Sequence, residues 1–244
     1  MASPEPAAAP APAGLEVAWL GRVPYAEALA LQYARVDARR AGRAGDALLL
    51  LEHPPVVTLG RAARPENLRL SRAELRARGV EVHEVARGGD VTWHGPGQLV
   101  GYLVLDLAAR GERDVHAHLR RIETILIDAL AGVGVPAGRR AGMTGVFVEP
   151  GPEGAAGPPR KIASIGVGLR GWTTLHGFAL NVCNGPEGFA AIVPCGLHGV
   201  EMTSVLAERA RPDGGADAAG LLERVRALVA AAARRHLAPG PAIG

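Results

Sequence analysis

A chain of 244 residues is long enough to bury a sizeable core in one domain with short appendages. Its apolar fraction of 48% is mostly alanine and other aliphatics, with aromatics at 4%, so the core is expected to be aliphatic. The formal net charge of +3 arises from interspersed basic and acidic residues, which excludes the concentrated basic stripe of a nucleic-acid surface.

Taken in order, residues 1–14 form an Ala/Pro tail too poor in large apolar side chains to pack, and disorder is expected there. Residues 15–237 are read as a single catalytic domain, and 238–244 as a flexible C-terminal tail. A first strand is expected over 15–20. A helix over 24–40 follows, with Pro24 at its first turn and Tyr25, Leu29, Tyr33 and Val36 on its apolar face. A short apolar strand at 47–51 leads into Glu52-His53-Pro54-Pro55, where two prolines force an extended turn, and a further strand covers 56–59. Ser71 and Glu74 form a capping box for a short helix that Gly79 stops. After a strand over 80–86 comes a Gly-rich loop, 87–98, then a strand over 99–107. Asp114 caps a helix whose expected apolar face is Val115, Leu119, Ile122, Leu126 and Ala129. A strand over 143–149, a Gly/Pro loop over 150–159 and two strands over 161–169 and 173–182 follow. A turn around Cys195, a short element over 202–206, a polar linker over 209–220 and an amphipathic helix over 221–236 complete the chain. Strands often follow one another directly, so the class is α+β, a mixed β-sheet flanked by helices.

Two cysteines do not make a disulfide scaffold, and no paired metal-knuckle spacing is present. The N-terminus lacks a basic and leucine-rich leader, and no apolar run approaches the ~18 residues of a membrane span. A cytoplasmic, reducing compartment is expected, with neither nucleic acid nor membrane as partner.

Of the 27 lysine and arginine residues, Lys161 is the one lysine. Where arginine serves every other positive charge, lysine stays where a compact ammonium or a removable proton is needed. Cys195 lies between Pro194 and Gly196, a frame that can expose a thiol and aim backbone N–H groups at a developing oxyanion. Cys183 reads as a small buried hydrophobe in a strand. Gly166-Val-Gly168-Leu-Arg-Gly171 matches a dinucleotide pattern, but a strand rather than a helix follows, so a hairpin explains these glycines better. His116 and His118 are two apart on a helix, face different ways and read as surface residues, not a metal pair. The 87–98 loop combines glycines with Arg87, Thr92, Trp93 and His94, a composition suited to backbone approach to a ligand. His176 and Asn181 are further polar candidates.

Together, Arg87-Gly88-Gly89, Thr92, His94-Gly95-Pro96-Gly97-Gln98, Lys161-Ile162, Ser164-Ile165-Gly166, His176-Gly177-Phe178-Ala179-Leu180-Asn181 and Pro194-Cys195-Gly196 resemble the lipoyl (octanoyl) transferases. The upstream run His53-Pro54-Pro55-Val56, with Thr58 and Gly60, fits as well. The resemblance implies the α/β catalytic domain shared with biotin and lipoate ligases, and no cofactor. It implies transfer of an octanoyl group from acyl carrier protein to a lysine of lipoyl domains of 2-oxoacid dehydrogenases or of the glycine cleavage H protein. Cys195 would be the acyl-thioester nucleophile and Lys161 the residue that lowers its pKa, as a cation or as a base. Arg87, Gly88, Gly89, Asp90, Val91, Thr92, Trp93 and His94 would line the substrate site, with Ser164, Ile165, Gly166, His176, Gly177 and Phe178. Trp93 stands where tyrosine is commoner in the family, and Asp90 at a variable position. An ATP-dependent ligase on the same fold, a Cys–His hydrolase using His94 or His176, and a non-enzymatic binder of carrier or lipoyl domains are the alternatives.

Overall fold

The computed structural model describes residues 14–148, 158–196, 199–209 and 218–238, with Cys195, Ala218 and Ala219 described in the backbone alone. All but residue 14 of the expected tail at 1–14, all but residue 238 of that at 238–244, and parts of the 150–159 loop and the 209–220 linker lie outside the described residues. Strand β1 (Glu16–Arg22) pairs in parallel with β2 (Ala47–Glu52). The sheet continues through β6 (Gln98–Val104), β10 (Thr173–Asn181), β9 (Arg160–Arg170), β8 (Met143–Val148) and β7 (Ala137–Arg140), and β11 (Glu201–Met202) pairs with β9. A second, three-stranded sheet has β3 (Val56–Leu59) between β4 (Glu81–Glu84) and β5 (Val91–His94). The expected α+β class holds.

β2 is a run of leucines because both of its faces are covered. Leu48 and Leu50 point to one core with Leu99, Leu103, Phe178 and Leu180, whereas Leu49 and Leu51 point to another with Val100, Tyr102 and Ala179. The first core is closed by Ile122, Ile125, Leu126 and Ala129 of α3 (Val115–Ala131) and by Val225, Val229 and Ala232 of α5 (Ala218–His236). The second is closed by Ala28 of α1 (Tyr25–Arg40). Period-2 alternation thus yields a continuous apolar run when helices lie on both sides. Against the second sheet, α2 (Arg72–Ala77) contributes Leu75 to a smaller core with Val57, Val91, Trp93 and Phe189. The capping box of Ser71 and Glu74 is present. Among the described residues no helix is long and apolar enough to cross a membrane.

Several local expectations need correction. The buried face of α1 is Tyr25, Ala28, Gln32 and Val36, while Tyr33 is exposed. The stripe turns because Gln32 is drawn inward: its Oε1 accepts the backbone N–H of His176, 2.8 Å away. Within the supposed loop at 87–98, residues 91–94 form β5, fully buried between β3 and its satellite core. β7 was not expected, since Ala137-Gly-Arg-Arg has no apolar alternation and gains its place by pairing with β8. His118 is buried, not a surface residue, and neither ring nitrogen has a hydrogen-bond partner among the described residues. Cys183 is half-buried and lies beyond the end of β10. The β9–β10 hairpin turns at Gly171 as expected, but Gly166 and Gly168 have another reason. A Cβ at either would stand 3.0 Å from the Gly88 carbonyl or 2.7 Å from that of Ala86, so these glycines let the 86–88 segment lie directly on β9.

His176 has φ +61°, a left-handed conformation rare outside glycine, and Gln32 satisfies its otherwise buried N–H. Gln32→Leu should therefore cost about 1–3 kcal/mol in urea denaturation, the penalty of an unpaired buried donor. A change below about 0.5 kcal/mol would show that this bond does not hold the strained residue.

Candidate active site

The segment from Arg87 to His94 folds back over the β9–β10 hairpin and encloses a cleft of about 200 Å³. Its anchor is Arg87, whose guanidinium donates to the Thr58 hydroxyl and carbonyl, each 2.8 Å from Nη2, and through Nη1 to Gly88 O at 3.0 Å. Gly88 in turn donates to Val167 O at 2.8 Å, stitching the segment to β9. Alternation in β5 then sorts the side chains. Thr92 and His94 face the cleft, while Val91 and Trp93 enter the satellite core, Trp93 edge-on to Phe189. Of the residues expected to line the site, the cleft brings together Arg87, Gly89, Asp90, Thr92, His94, Lys161, Ser164, Ile165, Gly166, His176, Gly177 and Phe178. Gly88, Val91 and Trp93 lie outside its lining.

A chain of amides fixes the tautomer of His94. The Thr203 carbonyl can only accept, so Asn181 donates to it through Nδ2 at 2.9 Å and presents Oδ1 to Gln98 Nε2, also at 2.9 Å. Gln98 Oε1 must then accept from His94 Nδ1, at 2.8 Å. Burial, followed by the neighbouring His53, holds His94 well below the ordinary histidine range, so the ring is neutral and Nε2 is its bare nitrogen. The same logic applies at His53. Nδ1 donates to the Val23 carbonyl at 2.7 Å, so Nε2 accepts from the Tyr102 hydroxyl at 2.7 Å, and burial pushes the ring down to about 4. Burial, then Arg87 and Arg61, also take His176 to about 4, and its buried Nε2 has no hydrogen-bond partner among the described residues. Tyr25, pushed up to about 12 by burial, keeps its phenolic proton. The histidines and tyrosines around the cleft are thus uncharged hydrogen-bonding groups.

Lys161 is a second cation of the lining beside Arg87. It is 2% exposed, donates from Nζ to the Thr144 carbonyl at 3.0 Å and lies over the Phe147 ring, 5.6 Å from its centroid. The Pro194–Gly196 3-10 turn that carries Cys195 packs against β5. Gly196 has φ +63°, and a Cβ there would stand 2.6 Å from Asp90 Oδ2, so only glycine permits the turn to close on the cleft-lining Asp90. Asp90 is held in place by the amide of Asn67 and by the backbone of Val91. Tyr25, Tyr102, Met143 and Thr144 also line the cleft and were not singled out in the sequence. A signal was present: the chain has three tyrosines, and two of them are here. Among the described residues no group of His, Cys, Asp and Glu could hold a metal ion.

Residues 24–217 match the family model of the lipoyl protein ligase A/B catalytic domain. The chain is 49% identical over 197 residues to an octanoyltransferase of Geobacter sulfurreducens, covering 81% of this chain and 77% of that one. The chain belongs to the octanoyltransferase family. A second member, from Syntrophotalea carbinolica, is 50% identical over 78% of this chain and 82% of its own. Among solved structures, a bi-partite lipoate protein ligase from Thermoplasma acidophilum superposes with a TM-score of 0.65 at 16% identity, covering 92% of this chain and 84% of that one. Lipoate-protein ligase A bound with ATP gives 0.61, also at 16% identity, over 92% of this chain and 85% of that one. At such identities these two establish the family's fold and nothing finer.

The neutral imidazoles carry a stability consequence. His53, His118 and His176 bind protons in the unfolded chain below about pH 6.5, but in the native state only near 4. Their contribution is complete above pH 6.5 and is lost as the pH falls toward 4, because the unfolded state binds more protons in that window. The loss should be on the order of 2 kcal/mol per imidazole by about pH 5. Urea midpoints measured from neutral pH down to about 5 should fall steeply. A constant midpoint would mean that these rings protonate freely in the native state.

Proposed function

We propose that the protein is an acyltransferase that moves an octanoyl group from an acyl carrier protein to a lysine amine of a lipoyl domain, through a thioester on Cys195. The observation that carries this reading is the lone lysine of the chain. It is buried in a cleft whose histidines and tyrosines are uncharged, and the backbone of the Cys195 turn reaches the cleft-lining Asp90 through Gly196. Its carbonyl and ring-face contacts are those an ammonium makes, and an ammonium beside a thiol favours the thiolate.

In the first step the Cys195 thiolate attacks the carbonyl carbon of the carrier thioester. A new C–S bond forms, the old one breaks, and the carrier leaves as a thiolate that takes up a proton. One thioester replaces another, so the step is close to balanced. In the second, the acceptor amine, after losing a proton, attacks the Cys195 thioester. The C–N bond forms, the C–S bond breaks, and the amine's remaining excess proton leaves with the Cys195 sulfur. Amide formation drives the sequence without ATP. A lysine amine in water has a pKa of about 10.4, so the acceptor needs a base. The bare Nε2 of His94 is an acceptor but a weak base, given its depressed pKa, so the carrier thiolate released in the first step is the better recipient of the proton lost before attack. The octanoyl chain lies along Ile165, Phe178 and Met143, which line the cleft. Each buried methylene contributes about 0.8 kcal/mol, so shortening the acyl group by two carbons costs roughly tenfold in binding. Lipoyl domains of 2-oxoacid dehydrogenases and the glycine cleavage H protein are the proposed acceptors. The reducing cytoplasm, where a free thiol persists, is the proposed compartment.

The reading is tested by mass. Protein incubated with octanoyl-carrier protein and no ATP should gain one octanoyl group, released by hydroxylamine and cleared on adding a lipoyl domain. Cys183→Ala should retain the adduct and most of the activity, and Cys195→Ala should lose both. An adduct that survives in Cys195→Ala, or transfer that requires ATP and free octanoate, would refute the thioester and leave a ligase.

A further inference from the structure

We infer that Glu123, which lines no part of the cleft, is a positioning residue that fixes Lys161 through the peptide group shared by Thr144 and Gly145. The inference rests on the reading that Lys161 activates Cys195. A trans peptide group presents its C=O and N–H in opposite directions. Here the two ends of one peptide meet opposite charges. The Thr144 carbonyl accepts from Lys161 Nζ at 3.0 Å, and the Gly145 N–H donates to Glu123 Oε1 at 3.1 Å. A carboxylate on the N–H side polarises the amide and strengthens its carbonyl as an acceptor, so carboxylate, peptide and ammonium form one charge-assisted chain.

Glu123 is fully buried on α3, with 0% exposure. Its other oxygen, Oε2, accepts from Arg120 Nη1 at 2.7 Å and from Arg139 Nε at 2.8 Å. The charged groups set around the chain are therefore Arg120 on the same helix, Arg139 on β7 and Lys161 on β9. A purely structural role for this carboxylate is uneconomical. The two arginine side chains are 54% and 40% exposed, and replacing a buried ion pair by apolar side chains of similar size is often neutral or stabilising. Its distinct effect is to hold the 144–145 peptide in register. Gly145, at φ +129°, completes the device: a Cβ there would stand 2.7 Å from Lys161 Cε, so only glycine lets the lysine stem lie across this peptide.

The test is a double-mutant cycle read on the thiol itself. In a Cys183→Ala background, alkylation of Cys195 by iodoacetamide at neutral pH is followed by intact mass, for the parent, Glu123→Leu, Lys161→Met and the double variant. Glu123→Leu should slow alkylation about tenfold when Lys161 is present and less than about twofold when it is Met, the signature of two residues acting through one another. Glu123→Gln, which keeps an acceptor for Gly145 N–H but loses the charge, should fall between parent and Leu. It also serves as the probe if the Leu variant fails to give the parent's thermal transition. Equal slowing in both Lys161 backgrounds, or no slowing by either Glu123 variant, overturns the positioning role and leaves the thiol–lysine reading intact. Parent-like alkylation of Lys161→Met overturns that reading and the inference together.

Discussion

One buried ammonium sets the terms for the rest of this fold. An isolated charge taken from water into an aliphatic interior is costly unless its hydrogen bonds are supplied, and the chain has a single lysine to place. A backbone carbonyl on the neighbouring strand β8 and the face of Phe147 meet it. Pairing between β8 and β9 shifts register two residues further on, between Val146 and Phe147.

The other groups around the cleft share one electrostatic character. His53, His94 and His176 are each driven to neutrality, chiefly by burial, and Tyr25 and Tyr102 keep their protons for the same reason. In the proposed reaction these rings, being neutral, would not compete with the lysine for a thiolate. Arg87 is the other cation of the lining, but its donors are taken up by Thr58 and Gly88, so it serves as a strut that carries the 87–94 segment over the hairpin. Neutral donors and acceptors with one lysine suit acyl transfer between a thiol and an amine, in which charge develops at sulfur and at the carbonyl oxygen.

Much of this was legible in the sequence because it depends on local chemistry. The β9–β10 hairpin follows from alternation and Gly171, the short helix from Ser71 and Glu74, and the site motifs from residues too polar or too small for core. What escaped depends on distant partners. Gln32 turns the buried face of α1 because His176, far along the chain, needs an acceptor for its N–H. β7 exists because β8 pairs with it, not because Ala137-Gly-Arg-Arg prefers extension. Trp93 and Val91 fall away from the cleft because residues 91–94 are a strand with period 2, whereas composition alone had suggested a loop in which any side chain could turn inward. The same holds for Gly166 and Gly168, which the sequence ties to the hairpin and the structure ties to the 86–88 segment pressed upon them.

The central claim is that Cys195 carries the acyl group into the cleft that Lys161 floors. A crystal structure of the protein acylated by octanoyl-carrier protein in the absence of acceptor tests it most directly. The account predicts continuous density from Cys195 Sγ into the cleft, with the chain against Ile165 and Phe178 and the thioester near Lys161 Nζ. Density for the octanoyl group on another residue, or a chain lying outside the cleft, would contradict it.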